Sequence, residues 1–191
     1  LDGADGRVAR MLNAQSPFGE QYDSLADMLA FGVAPAILIY SFALEPLGRI
    51  GIGCAFVFTA CAAFRLARFN VQVGIVDKKY FVGLASPLAA ILVTSAVMVA
   101  VDHNDWIGQY DTAIILLFAA WVVTCGLLMV SNVKYYSFKE FDKKKVPFVV
   151  LIIGVLVMSI VLYDIPVGIL AIGIIYALSG IVTTIKTKVE S

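Results

Sequence analysis

Six long apolar segments restrict what this chain can fold into. They cover about 24–43, 50–64, 83–101, 111–131, 146–163 and 165–185, with short polar connections between them. A helix needs about 20 apolar residues to cross a bilayer. Hydrophobic residues make up 61% of the 191 residues and charged residues only 15%, whereas soluble domains have roughly half and a quarter. The sequence therefore predicts an all-α, polytopic membrane helical bundle with six spans.

Two of these segments contain residues that affect the length or the straightness of the predicted helix. The second segment reaches a spanning length only if its helix continues past Arg65 and Arg68 towards Phe69, with both arginine side chains extending to the membrane interface. Pro35 lies inside the first segment and is expected to kink that helix.

Basic residues are distributed very unevenly between the two sides of the predicted bundle. Of the fourteen Lys and Arg residues, Arg49 alone falls on one side. The positive-inside rule then places the N-terminal stretch and the C-terminus in the cytoplasm.

The formal net charge is zero, so the overall charge gives no reason to expect a nucleic-acid partner. Cys54, Cys61 and Cys125 lie in apolar stretches without metal-ligand spacing, which indicates small buried hydrophobic residues.

Four aspartates precede or enter the first span. Asp2 and Asp5 are three residues apart, and Asp23 and Asp27 are four apart; on helices both spacings put two carboxylates on one face. Ser16-Pro17 marks a break between two helices. Any one aspartate is explained by helix capping, but four together near an interface repel one another unless cations lie between them. Oxygen ligands without His or Cys favour Mg²⁺, Mn²⁺ or Ca²⁺ over zinc.

The same residues carry a family resemblance. From Asp2 to Asp27 the chain reads Asp-x2-Asp-Gly-x2-Ala-Arg-x8-Gly-x3-Asp-x3-Asp, which is similar at every specified position to the signature of the CDP-alcohol phosphotransferases. The resemblance implies a site for two divalent cations, Mg²⁺ or Mn²⁺, and a pocket for cytidine diphosphate. The implied metal ligands are Asp2, Asp5, Asp23 and Asp27, and the implied residues around the nucleotide and its phosphates are Gly6, Ala9, Arg10 and Gly19.

A narrower resemblance points to the phosphatidylserine synthases within that family. It rests on residues 31–36, 64–70, 83–87 and 130–136, with Ala85 where those proteins usually have proline. It implies transfer of the phosphatidyl group of CDP-diacylglycerol to the hydroxyl of L-serine, with release of CMP. Asp27, nearest the bilayer, is the candidate general base. Arg65 and Arg68 either bind the carboxylate of the acceptor or anchor the helix end against anionic headgroups.

The resemblance also carries expectations about the extent and setting of the protein. Residues 1–191 are expected to form one membrane-embedded catalytic domain, with the signature motif in 1–27 and six spans with their loops in 28–185. In the family the signature follows two further helices, which implies eight spans in the complete protein. A homodimer in a prokaryotic inner membrane is implied, surrounded by membrane lipid, with the site facing the cytoplasm.

Other functions are weighed against this one. A sister synthase using glycerol 3-phosphate or an inositol phosphate requires more basic residues around its pocket. A divalent-cation transporter is expected to carry polar residues near the middle of several spans, whereas the acidic residues here cluster at one side. A structural scaffold leaves the four aspartates unexplained.

Tyr135 and Tyr136 are typical of an interfacial aromatic belt.

Overall fold

The fold is a helical bundle with one small pair of strands. The computed structural model describes residues 16–72, 80–102, 112–136 and 148–189. Its strands are β1 (Tyr80–Val82) and β2 (Lys134–Tyr136), which pair antiparallel. Its α-helices are α1 (Pro17–Met28), α2 (Ala34–Ile39), α3 (Arg49–Gln72), α4 (Ser86–Asp102), α5 (Thr112–Val130), α6 (Phe148–Tyr163) and α7 (Ile165–Val189). The predicted all-α membrane bundle is confirmed, with helix in each of the six predicted segments.

Within the described residues, four helical stretches are long and apolar enough to cross a membrane. They are Gln21–Leu47, Arg49–Val71, Thr112–Val130 and Ile165–Thr184, of 27, 23, 19 and 20 residues. The second continues past Arg65 and Arg68, as predicted. Helices α4 and α6 have 17 and 16 residues, or roughly 26 and 24 Å at the α-helical rise, against about 30 Å of hydrocarbon. The chain is an integral membrane protein.

The first span departs from regular α-helix on both sides of α2. A π-helical turn covers Leu29–Val33, and the N–H of Ala34 donates to the carbonyl of Leu29 five residues earlier. Pro35 follows directly, inside α2. A proline ring collides with the carbonyl four residues before it in regular α-helix, and the wider turn relieves that collision. The kink predicted at Pro35 stays a prediction; the structure shows a π-helical turn directly before this proline, and a second one covers Tyr40–Leu44.

Small residues allow the helices to approach closely, as is common where lipid removes the hydrophobic drive for association. A Cβ added to Gly32 would lie 3.1 Å from the Cβ of Ala62 on α3, and one added to Gly126 on α5 would lie 3.3 Å from the Cα of Phe58. Helix α3 packs most extensively against α5, and α4 against α7. The core between these helices buries Cys61 and Cys125, as predicted, whereas Cys54 is only partly buried.

The strands connect the α3–α4 and α5–α6 segments at one end of the bundle. Phe81 is opposite Tyr135 in this pair, and the N–H of Gly83, at φ 83°, donates to the carbonyl of Val133 at 2.8 Å. Glycine suits this positive φ because it has no Cβ. The N–H of Leu84 donates to the carbonyl of Leu128 at 3.0 Å. These bonds hold the start of α4 against the end of α5.

Tyr135 corrects one expectation. It is 1% exposed rather than part of an interfacial belt. Its ring stacks on Tyr176 of α7 with 5.4 Å between centroids, and its hydroxyl lies 3.5 Å from the carbonyl of Ala177. Burial, with Tyr176 and Cys125 nearby, raises the pKa of Tyr135 to about 12, so this hydroxyl stays protonated at neutral pH. Tyr135 joins the strand pair to α7 instead of facing lipid headgroups.

Candidate active site

Helix α1 presents two of the predicted metal ligands. Ser16 is extended and caps the helix, its Oγ accepting a bond of 3.0 Å from the N–H of Gly19, and Pro17 is the first helical residue. The predicted start of a helix at Ser16-Pro17 is confirmed, and the helix predicted before it lies outside the described residues. Asp23 and Asp27 follow one turn apart on the same helix, Asp23 exposed and Asp27 partly buried. The helix therefore carries one exposed carboxylate, Asp23, and one that is partly covered by the bundle, Asp27.

Arg65 on α3 interacts with Asp27 and with Ser86. Its guanidinium interacts electrostatically with the carboxylate of Asp27, and its Nη1 donates to the Oγ of Ser86 at 3.1 Å. Ser86, the first residue of α4, is fully buried. Within the described part of the chain, the Nε of Arg65 is buried without a hydrogen-bond partner. One cation thus interacts with both α1 and α4, and its Nε has its hydrogen-bonding capacity unused among the described residues.

Arg68 has different partners, although it is only three residues further along α3. Its Nη2 donates to the Oδ1 of Asn132 at 3.0 Å, and its Nη1 lies 3.4 Å from the carbonyl of Val130 at the end of α5. Such bonds satisfy carbonyls that a helix end leaves without an intrahelical donor. The contacts of Arg68 therefore join α3 to the end of α5 and to the residues that follow it.

A third contact fixes the position of α1. The Nδ2 of Asn70, near the end of α3, donates to the Oγ of Ser24 at 3.0 Å. Ser24 lies between the two aspartates in sequence, so this bond and the close packing of Gly32 on Ala62 hold the acidic face of α1 against α3. The relative placement of Asp27 and Arg65 follows from these contacts.

The structure brings together only some of the predicted site residues. Asp23, Asp27 and Arg65 lie at one end of the bundle, and Gly19 lies one turn before Asp23 on α1. The other predicted ligands and nucleotide-binding residues lie outside the described residues: Asp2, Asp5, Gly6, Ala9 and Arg10. Among the residues described, no three His, Cys, Asp or Glu side chains gather into a group that could hold a metal.

The chemistry of the donors fits a hard divalent cation at this end. The two predicted ligands that are described are both carboxylates, they are one helical turn apart, and no cysteine or histidine accompanies them. Mg²⁺ and Mn²⁺ prefer such oxygen ligands and are commonly held by one or two carboxylates together with substrate phosphates.

Three polar residues of this region were not predicted to belong to the site. They are Ser24, Ser86 and Asn132. Ser86 and Asn132 lie in the stretches 83–87 and 130–136 that carry the narrower resemblance, and Arg65 and Arg68 lie in a third, 64–70. Similarity of separate stretches was thus a usable signal: the residues that resemble one family contact one another in the fold.

Comparison with known proteins bears on the class of this site. A family model described as CDP-alcohol phosphatidyltransferase matches residues 1–126. The chain belongs to the CDP-alcohol phosphatidyltransferase family. The matched range includes the complete acidic signature, the Asp27–Arg65 pair and Ser86. The family match therefore covers these residues of the candidate site.

Several relatives within the family carry one name, CDP-diacylglycerol–serine O-phosphatidyltransferase. One from Helicobacter pylori is 42% identical over 140 residues, covering 73% of this chain and 57% of the relative. One from Bacillus subtilis is 39% identical over 142 residues, covering 73% and 71%. One from Methanocaldococcus jannaschii is 35% identical over 186 residues, covering 97% and 80%. The chain thus matches little more than half of the H. pylori protein and most of the archaeal one.

Proposed function

We propose that this protein transfers the phosphatidyl group of CDP-diacylglycerol to the hydroxyl of L-serine, producing phosphatidylserine and CMP. The observation that carries the proposal is the contact between α1 and α3, which Asn70 and Ser24 bond together and across which the charges of Asp27 and Arg65 interact. The names of the relatives, which state a serine acceptor, support the same reaction.

The size of serine explains why this pair suits it. Its hydroxyl oxygen and its carboxylate carbon are separated by only three bonds, so a base for the one and a cation for the other must be close neighbours. We assign Asp27 as the base and Arg65 as the partner of the carboxylate. Asp27 takes the hydroxyl proton as the serine oxygen forms a bond to the phosphorus that bears diacylglycerol. The bond from that phosphorus to the CMP oxygen breaks, and CMP leaves with the electron pair.

Divalent cations complete the proposed site. Two ions, Mg²⁺ or Mn²⁺, held by Asp2, Asp5, Asp23 and Asp27, would neutralise charge on the phosphate oxygens during the displacement. Gly6, Ala9 and Gly19 would leave space for the nucleotide against the backbone. Arg10 would pair with its phosphates, for which a planar guanidinium with parallel donors is well suited.

The setting of the enzyme is part of the proposal. Residues 1–191 act as one catalytic domain, with the motif of residues 1–27 leading into the six spans of 28–185. The site faces the cytoplasm of a prokaryotic inner membrane, where the excess of Lys and Arg places both ends of this chain. The partners are CDP-diacylglycerol, L-serine, membrane lipid and a second copy of the protein in a homodimer.

The direct test is CMP release by the full-length protein in detergent micelles. With CDP-diacylglycerol and Mg²⁺ or Mn²⁺, we expect release that depends on L-serine and stops when EDTA removes the metal, because the phosphate charge is then not neutralised. Glycerol 3-phosphate and inositol phosphate are the control acceptors. Release with one of these and not with serine would sink the serine assignment, and release that persists in EDTA would contradict the metal site.

The two arginines of α3 provide a second test. Arg65→Gln is expected to raise the KM for serine by about tenfold or more, since a hydrogen bond to a charged group contributes roughly 1.5–3 kcal/mol. Arg68→Gln is the matched variant on the same helix. It is expected to lower the melting temperature, because α3 loses its contacts with Val130 and Asn132, and to raise the serine KM less than Arg65→Gln does. Equal effects of the two substitutions on the serine KM would mean that Arg68 also binds the acceptor.

A further inference from the structure

We propose that Ser86 is a positioning residue that orients Arg65 for the carboxylate of the acceptor, and that it thereby sets the affinity for serine. This inference rests on the proposed function, because it assigns Arg65 to the acceptor. Ser86 lies on α4, touches neither aspartate in any described contact, and acts through the guanidinium to which its Oγ is bonded at 3.1 Å.

The geometry of the guanidinium explains what the Ser86 contact does. A carboxylate binds an arginine with two parallel bonds along one edge, and Nε and Nη2 share such an edge. The bond to Ser86 uses Nη1, which does not belong to that edge. The Nε atom does, and within the described residues it is buried without a partner. A buried donor without a partner is costly, so an acceptor carboxylate at this edge would satisfy it.

Arg65 needs such an orienting contact because its side chain is long and flexible. Fixing an arginine side chain costs a large share of its rotamer entropy. A contact that already restricts the guanidinium before serine binds removes part of that cost from binding. Ser86 makes the restriction from α4, while Asp27 interacts with the same group from α1.

The backbone at Ser86 is itself held in place, which makes its hydroxyl a rigid reference point. Just before it, Gly83 and Leu84 donate to the carbonyls of Val133 and Leu128 at 2.8 and 3.0 Å. Ser86 is fully buried, as is Leu84. The hydroxyl of Ser86 therefore meets Arg65 from a position fixed by the α5–β2 segment rather than from a loose loop.

The test compares two buried serines of the same helix. Ser86→Ala removes one oxygen atom and adds no volume; it is expected to raise the serine KM about fivefold, the equivalent of one hydrogen bond, with kcat and the KM for CDP-diacylglycerol within twofold. Ser95→Ala is the matched control, because Ser95 is 3% exposed and, among the residues that the structure describes, its Oγ donates only to the carbonyl of Leu92 on its own helix, at 3.3 Å. It is expected to leave all three constants within twofold.

A double-variant comparison separates positioning from a general structural role. In the Arg65→Gln background, Ser86→Ala is expected to add nothing further to the serine KM, since the group that it orients is gone. Arg65→Lys, which keeps the charge but not the planar edge, is expected to raise the serine KM at least as much as Ser86→Ala. An Arg65→Lys protein with an unchanged serine KM, or a Ser86→Ala effect that persists in the Arg65→Gln background, would overturn the inference.

Failure of the inference and failure of the proposed function give different results. If the unsubstituted protein releases no CMP in response to serine, the proposed function falls, and this inference falls with it. If release depends on serine and the serine KM of Ser86→Ala equals that of Ser95→Ala, only the inference is wrong. Melting temperatures of Ser86→Ala and Ser95→Ala are measured in parallel; a loss of serine affinity that merely follows a loss of stability in both variants also overturns it.

Discussion

Asp27→Asn is expected to reduce the rate of serine-dependent CMP release by about 10²- to 10⁴-fold, the range typical for loss of a general base. Asparagine keeps the size of the side chain but cannot accept the hydroxyl proton and is a weaker ligand for a divalent cation. Asp27 is also the residue whose charge faces Arg65. The measurement is kcat for CMP release at saturating serine and CDP-diacylglycerol, with the melting temperature recorded for the same preparation.

A control at the opposite end of the bundle separates this effect from loss of a negative charge. Asp102 is exposed at the end of α4, a full helix length from Ser86. Asp102→Asn is expected to keep kcat within twofold of that of the unsubstituted protein. An Asp27→Asn protein that is folded and retains more than about a tenth of the rate would contradict the assignment of Asp27 as base.

Gly180→Ala is expected to destabilise the protein by about 1–3 kcal/mol, the usual cost of overpacking a filled site. A Cβ at this position of α7 would overlap three atoms of the Tyr135 ring. The ring has no room to withdraw, because it is 1% exposed and stacks on Tyr176. The higher helix propensity of alanine, up to about 1 kcal/mol, offsets only part of that cost. The expected result is a lower melting temperature in detergent.

Gly154 on α6 provides the matched control for this substitution. A Cβ built on Gly154 meets no atom within 4 Å. Gly154→Ala is therefore expected to leave the melting temperature unchanged or to raise it slightly, through the helix propensity alone. Equal shifts in the two variants would mean that the packing of Tyr135 on α7 does not limit stability.

The helices were largely predictable because the bilayer imposes a length and a composition on every span. The apolar segments identified each helix, and the aspartate pair at positions 23 and 27 was placed correctly on one helix from its spacing. Tyr135 was not predictable in this way, because a tyrosine suits a membrane interface and a protein interior equally well. Its burial depends on β2 and on a glycine of α7 that lies 45 residues further along the chain.

The partners of the two arginines show where sequence reasoning stops. Arg65 and Arg68 are three residues apart and share a helix face by spacing alone, yet one bonds to Ser86 and the other to Asn132. These bonds join residues 21 and 64 positions apart in sequence. Which of two neighbouring arginines meets which helix depends on the crossing of α3 with α4 and α5, and no local pattern encodes that crossing.

The π-helical turn at Leu29–Val33 affects the direction in which the aspartates of α1 point around the helix axis. Such a turn contains one residue more than an α-helical turn, and one residue corresponds to about 100° of rotation and 1.5 Å of rise. A first span with regular α-helix in place of this one turn would therefore rotate Asp23 and Asp27 by roughly a quarter of a turn relative to the part of the span that follows. The extra residue turns the aspartates of α1 towards α3. The part of the span that follows the turn, from Ala34 onwards, keeps its own packing.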